Sequence, residues 1–324
     1  VIENSSSFFA GLHKADVILS VNGQKASPLS PQELSESLHG EEGSMLKLTV
    51  LRHGEIKNIT IVRTEQTLST VSAGVLQGIK PVGVLTINKF AIESCIEVKN
   101  ALKKLKQQGI QGLLLDLRDN PGGQMEEASC VTSLFVGPNK KIYQVKFLVD
   151  EVQDDVQEEA SFGSEEQQYE GPMAVLINSG SASAAEIVAG ALQDYKRAVL
   201  VGERSFGKGS FQEGEAWSKN PHIAIFETKG FYYLPSGRTP QLVGLEPDVK
   251  VGLKDSFALR EVDQFWYPLV PESLSIQMET AVGLQTDIAT CISFDSDFLS
   301  SDDPEIKEAH RVLNCREIAE RGTR

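Results

Sequence analysis

Alternating apolar and polar positions open the chain. Asp16 to Asn22 (Asp-Val-Ile-Leu-Ser-Val-Asn) alternates as a half-buried strand does, and Asn22-Gly23 supplies turn chemistry at its end. Ser30-Pro31 predicts a short helix to about His39, with serine at the N-cap, proline in the first turn and Gly40 beyond the end. Two more strands follow, Leu46 to Arg52 and Ile56 to Val62, joined at His53-Gly54. Residues 1–66 are therefore expected to form one small β-rich domain.

Strand and helix patterns then alternate through residues 67–252, which predicts an α/β core. Val82 to Asn88 reads as a strand, and Glu93 to Gln108 as an amphipathic helix with Leu102 and Leu105 on its apolar face. Leu113 to Leu117 is almost continuously apolar, as a strand covered on both faces should be. Asn120-Pro121-Gly122-Gly123 breaks the chain before another helical stretch. Next come a strand near Lys141 to Val149, a buried strand at Met173 to Ile177, a helix after Ser183 and a strand at Ala198 to Val201. Glu151 to Glu170 is acidic, rich in Gln and Ser and without Lys or Arg, and is expected to be a solvated loop. The pattern weakens in a C-terminal extension, residues 253–324. There Asp303-Pro304 starts a helix with Ile306, Ala309, Val312 and Leu313 at helical spacing.

Composition narrows the possibilities. Of 324 residues, 40% are hydrophobic and 23% charged, an ordinary globular balance. A net charge of -14 argues against nucleic acid or an anionic membrane surface as the main partner. No apolar run approaches the roughly 18 to 20 residues that a membrane span needs. The chain begins Val-Ile-Glu-Asn, without methionine or a signal peptide, and reads as a mature or trimmed fragment. Cys95, Cys130, Cys291 and Cys315 form no CxxC pair, and no HExxH motif is present, so no metal or cofactor is implied. Isolated buried thiols are the first expectation, with Cys291 and Cys315 the pair to test for a bridge.

Two segments carry candidate chemistry. In Asn178-Ser-Gly-Ser-Ala-Ser-Ala-Ala-Glu-Ile187 a buried strand gives way to small residues and then a helix. A serine there sits where free N–H groups and the helix dipole favour an oxyanion, although serines also simply cap helices. In Gly202-Glu-Arg-Ser-Phe-Gly-Lys-Gly-Ser-Phe-Gln212, glycines flank Lys208 and permit close approach to another element. A neutral lysine can serve as a serine's base, provided burial lowers its pKa from about 10.4 toward neutrality. A drop of about 3 units corresponds to roughly 4 kcal/mol, so a dry setting, helped by residues such as Phe206 and Phe211, is required. None of the five histidines lies in either motif. Asn120 to Gly123 follows a buried strand and could offer a backbone N–H to the oxyanion. Asp116 and Arg118 are expected to organise that loop.

Taken in order, these segments resemble the carboxyl-terminal processing peptidases, also called tail-specific proteases. The resemblance spans Gly11 to about Asp248 and includes Leu-Asp-Leu-Arg-Asp-Asn-Pro-Gly-Gly, the serine and lysine segments, and Gly-Leu-Glu-Pro-Asp-Val. It implies a ClpP/crotonase-like α/β protease core and a nucleophile at the second serine of Ser-Ala-Ser, Ser183. Lys208 would be the general base, with Gln212, one helical turn later, positioning it. The oxyanion donors would be the N–H groups of Ala184 and of a glycine in the Asn-Pro-Gly-Gly loop, Gly122 rather than Gly123. Glu186 either steadies the site or is plain helix structure.

The same resemblance assigns residues 1–66 to a PDZ domain, which would bind a substrate's free C-terminus by strand addition. The segment bearing the carboxylate-binding loop has no counterpart before Val1, so a partial PDZ domain with altered tail recognition is expected. The function implied is a serine endopeptidase acting on unfolded or extended polypeptides in a bacterial periplasm or cell envelope. A regulatory partner acting through the PDZ domain is compatible with the same residues. The rival is a catalytically silent peptide-binding or scaffolding relative.

Overall fold

A computed structural model describes residues 5–13, 15–64, 69–77, 80–148, 158–216, 224–251, 260–264, 268–271 and 303–322. The chain divides into two compact units, Val1–Leu68 and Ser69–Arg324.

The first unit contains α1 (Ser6–Phe9), β1 (Val17–Val21), β2 (Gln24–Lys25), α2 (Pro31–Leu38), β3 (Met45–Arg52) and β4 (Glu55–Val62). Its sheet has the order β2-β1-β3-β4 and is antiparallel throughout. Asn22 and Gly23 both take positive φ, 49° and 86°, as a two-residue hairpin between right-twisted strands demands. Ser30 and Glu33 cap α2 reciprocally. Ser30 Oγ accepts from Glu33 N at 3.3 Å, and Glu33 Oε2 accepts from Ser30 N at 2.8 Å. Alternate residues Leu46, Leu48 and Val50 of β3 face Ile59 and Ile61 of β4 in a small core.

The second unit is built on β5 (Val71–Leu76), β6 (Val82–Ile87), α3 (Ser94–Gln107), β7 (Gly112–Asp116), α4 (Met125–Val136), β8 (Lys141–Phe147), β9 (Glu158–Phe162), β10 (Met173–Ile177), α5 (Ala184–Asp194), β11 (Val199–Gly202), β12 (Ser210–Ala216), β13 (Ala224–Tyr233) and β14 (Val249–Lys250). Short α6 (Glu261–Gln264) and long α7 (Pro304–Gly322) follow. The main sheet runs β14-β11-β10-β7-β6-β5, parallel except for the β5–β6 pair. A second, antiparallel sheet has the order β12-β13-β8-β9.

Every residue of β7 and β10 is buried, which explains their uninterrupted apolar sequence. Side chains alternate between two cores. Leu113, Leu115, Val175 and Ile177 join the helices α3, α4 and α5, whereas Leu114, Ala174, Leu176, Val199 and Val201 meet Ala309, Val312 and Leu313 of α7. The C-terminal helix thus covers the sheet's second face, and its spacing is the one the sequence predicts.

Two expectations need correction. Within Glu151 to Glu170, residues 158–162 are not a loop but the strand β9, because their main chain pairs with β8; residues 151–157 lie outside the described residues. Cys95 and Cys130 are not isolated thiols: α3 and α4 pack together, bring their Cα atoms to 5.9 Å, and the two sulfurs are bonded. The proposed Cys291–Cys315 pair falls outside the described side chains. Among the described residues, no helix is long and apolar enough to cross a membrane.

Leu313 is 3% exposed and packs over Gly112 of β7. Leu313→Ala is expected to lower unfolding free energy by about 2–5 kcal/mol in a denaturant titration. An unchanged midpoint would show that α7 is not docked on the sheet.

Candidate active site

The parallel order β11-β10-β7 brings three loops to one edge, because each leaves the carboxyl end of its strand. They carry Asn120 to Gly123, Asn178 to Ser183, and Glu203 to Gly209. The serine turn lies between the other two and is hydrogen-bonded to both. Ser181 Oγ donates to Leu117 O at 2.8 Å, and Ala182 N donates to Asn120 O at 2.9 Å. On the other side, Phe206 N donates to Ser181 O at 3.0 Å.

Ser183 ends this turn with φ 55° and ψ -118°, a backbone conformation that L residues seldom adopt and that the surrounding bonds must hold. It stands at the N-terminus of α5, and Ala184 begins the helix. Ser183 and Lys208 are both half-buried, and no hydrogen bond joins Ser183 Oγ to Lys208 Nζ in this arrangement.

The carboxylate of Glu186 ties the two segments together. It is completely buried. Oε2 accepts from Ser183 N and from Lys208 N, each at 2.9 Å. Oε1 accepts from Gly207 N at 2.8 Å and from the Ser205 hydroxyl at 2.5 Å. Burial pushes the carboxyl up to about 7, while these four donors favour the charged form. Glu186 therefore does more than continue the helix.

Tyr232 of β13 makes a second link. Its buried hydroxyl lies 2.8 Å from Lys208 O and 3.1 Å from Ser183 O and donates to these carbonyls. Burial and the Glu186 charge hold its pKa well above the usual phenol value, so it stays protonated. The glycines around Lys208 make the close approach expected of them. A Cβ on Gly207 would lie 3.0 Å from Gly244 N, and one on Gly209 would lie 2.7 Å from Gln241 N.

The glycine loop faces the serine directly. Asn120 is buried, donates through Nδ2 to Ile87 O at 2.7 Å, and accepts from Gly122 N through Oδ1 at 2.8 Å. Gly122 has φ 99°, and a Cβ there would stand 2.8 Å from Ser183 Cβ and 2.9 Å from Ala184 N. The missing side chain leaves open the space beside the helix N-terminus. The Gly122 amide is thus engaged within its own loop, whereas the Gly123 and Ala184 amides have no hydrogen-bond partner among the described residues.

The profile of peptidase family S41 matches residues 81–251, a span that holds all three loops. The chain belongs to peptidase family S41. Its S41 relatives include the carboxy-terminal processing protease CtpA of Bacillus subtilis (strain 168), 30% identical over 262 residues, covering 81% of this chain and 54% of that protein. A Staphylococcus aureus (strain N315) protein named "Probable CtpA-like serine protease" is 31% identical over 242 residues, covering 75% and 47%. This chain spans about half the length of these curated relatives. The solved photosystem II D1 C-terminal processing protease is similar at 26% identity and TM-score 0.50, covering 76% of this chain and 65% of that one. The mixed α/β fold is that of S41 proteases.

The S41 resemblance led to Gln212 as the residue that positions Lys208, one helical turn away. In this S41 chain the stretch is not helical. Gln212 lies on strand β12, where the pairing with β13 shifts register beside Phe211. Its Nε2 is 3.3 Å from Ser210 Oγ and 3.4 Å from Thr228 Oγ1, and among the described residues it makes no hydrogen bond to Lys208. Phe211 packs edge-on against Phe147 at 5.4 Å and joins the main core. Arg118 organises its loop as expected. It is 2.6 Å from Asp116 and also binds Asp303 at 2.7 Å and Glu305 at 2.6 Å, at the start of α7.

Asn120, Ser205 and Tyr232 were not foreseen as site residues. Tyr232 had the clearest signal, since a tyrosine inside the run Gly-Phe-Tyr-Tyr-Leu must find a partner for its hydroxyl once buried.

Glu186→Gln keeps one acceptor oxygen for four donors. Leaving buried donors unpaired costs about 1–3 kcal/mol each, so a lower melting temperature and at least about a tenfold loss of any hydrolytic activity are expected. The pH dependence has a definite sign. A carboxyl raised from 4.5 to about 7 contributes stability that is complete below pH 4.5 and lost as pH rises through 7. The stability of the parent relative to Glu186→Gln should fall across that window by about 3 kcal/mol. Unfolding titrations at several pH values check both statements. Gly122→Ala should also abolish hydrolysis, because its methyl group would fill the space beside Ser183.

Proposed function

We propose that the chain is a serine endopeptidase that cuts near the C-terminus of unfolded or extended polypeptides, through an acyl-enzyme on Ser183 with Lys208 as general base. One observation carries this reading. The buried Glu186 carboxylate accepts the amides of both Ser183 and Lys208, so the helix and the lysine loop are held as one piece.

In this mechanism the Ser183 hydroxyl attacks the substrate carbonyl carbon as its proton passes to the neutral Lys208 amine. The tetrahedral oxyanion forms at the N-terminus of α5, where Ala184 N–H meets it. The second donor comes from the glycine loop. Gly122 N–H serves only if it leaves Asn120 Oδ1, whereas Gly123 N–H has no such tie. Lysine then protonates the departing amine, and water releases the acyl group. Gln212 positions Lys208 once it turns away from Ser210 and Thr228.

Residues 67–252 form the ClpP/crotonase-like protease core, residues 1–66 a partial PDZ domain that receives the substrate's free C-terminus, and residues 253–324 a partly helical extension. The bridge between Cys95 and Cys130 suits an oxidising compartment, and the named relatives are bacterial, which together support a periplasmic or cell-envelope location.

The test is degradation of an unstructured polypeptide with an apolar C-terminus. Ser183→Ala and Lys208→Ala are each expected to remove cleavage while leaving the melting temperature nearly unchanged. Lys208→Ala cutting as well as the parent overturns the mechanism, and equal cleavage of an amidated substrate overturns tail recognition. Binding without cutting by the parent returns the chain to the silent peptide-binding class.

A further inference from the structure

The matched S41 span ends at residue 251, yet the start of α7 reaches back to the loop that leads to Gly122 and Gly123. Side chains alternate between the faces of a strand, so Leu114 and Asp116 of β7 share the face that α7 covers. Arg118 continues on that side. Its Nε and Nη2 donate to Asp116 at 2.9 and 2.6 Å. Its Nη1 donates to Asp303 Oδ2 at 2.7 Å and to Glu305 Oε2 at 2.6 Å. The other oxygen of Asp303 caps α7, accepting from Glu305 N at 2.9 Å and Ile306 N at 3.2 Å. The Arg118 side chain is 19% exposed and that of Glu305 15%. Guanidinium bonds to carboxylates in such a half-dry setting hold geometry better than exposed ion pairs do.

The residues after Arg118 build the oxyanion side of the site. Asp119 takes φ 57° and exchanges two hydrogen bonds with Asn178 of the serine turn, at 2.9 and 3.0 Å. Asn120 reaches Ile87 O with Nδ2 and holds Gly122 N with Oδ1. The loop is therefore pinned at two neighbouring points, by Asn120 to β6 and by Arg118 to α7. The second pin depends on two carboxylates that lie outside the matched span.

We propose that Asp303 and Glu305 are positioning residues, which act through Arg118 to hold the glycine loop at the distance from Ser183 that oxyanion binding needs. The start of α7 is then a working part of the site as well as a cover for the sheet. The proposal rests on the reading that this loop supplies an oxyanion donor. An oxyanion donor is effective only when it is fixed in advance, and a small misplacement is felt in the chemical step more than in substrate binding.

The experiment combines Asp303→Asn with Glu305→Ala in the full chain. Asparagine keeps the capping oxygen but turns the Arg118 partner atom into a donor, and alanine removes the second arm without harming the helix. Leu313→Ala is the control. It loosens α7 about 15 Å further along the axis and touches no part of the Arg118 network. With an unstructured polypeptide as substrate, well below the melting temperature, the double variant should lose about tenfold or more in kcat, with KM within about twofold of the parent. Leu313→Ala should keep the parent's kcat. An unchanged kcat in the double variant, a change in KM alone, or an equal loss in Leu313→Ala overturns the proposal, the last because it marks a merely structural role.

A second measurement needs no cleavage. The backbone amide signals of Gly122 and Gly123 in nitrogen-15 NMR should move in the double variant and stay in place in Leu313→Ala. The single variant Glu305→Ala should move them in the same direction by less, which keeps the test open if the double variant fails to fold. Unmoved glycine signals overturn the coupling. If the parent cleaves nothing but the signals move, the coupling stands and the protease reading fails.

Discussion

A single buried carboxylate holds the site together. Glu186 lies on the first turn of α5, and its two oxygens take the amides of Ser183, Gly207 and Lys208 together with the Ser205 hydroxyl. Without those donors a fully buried carboxylate would be too costly to keep. Without that carboxylate, the unusual backbone of Ser183 and the tight loop around Lys208 would each lose a main restraint. The cost and the benefit sit in the same place, and this is how a strained turn survives at a chemically useful position.

The surrounding fold presents the loops that the carboxylate joins. Parallel strands place their outgoing loops on one edge, and the order β11-β10-β7 sets the serine turn between the lysine loop and the glycine loop. Tyr232 donates to the carbonyls of Ser183 and Lys208 from the second sheet, so both sheets of the unit meet at the site. Gln241 extends the arrangement, linking Gly209 to a segment beyond residue 251.

Much of this was legible in the sequence. Apolar runs gave β7 and β10, helical spacing gave α3 and α7, and Asn22-Gly23 gave the turn that ends β1, although not the short β2 beyond it. The serine, lysine and glycine loops were recognised from composition and order. What stayed hidden depended on pairing at a distance. β9 lies in an acidic stretch whose strand character comes from its neighbour β8, and Cys95 meets Cys130 only because two helices pack side by side. Gln212 was expected one helical turn from Lys208, a spacing that loses its meaning on a strand, where successive side chains alternate between faces. Gln241 gave no local sign, since it acquires its place by contact with a loop distant in sequence.

The helix α7 also bears on how the chain matures during synthesis. Strands β7, β10 and β11 leave the ribosome long before Pro304, so Leu114, Leu176, Val199 and Val201 must wait for the helix that shields them. Until then the nascent sheet presents a greasy stripe, and Arg118 lacks two of its carboxylate partners. A chain lacking α7 would carry every catalytic candidate yet leave that stripe uncovered and be prone to aggregation.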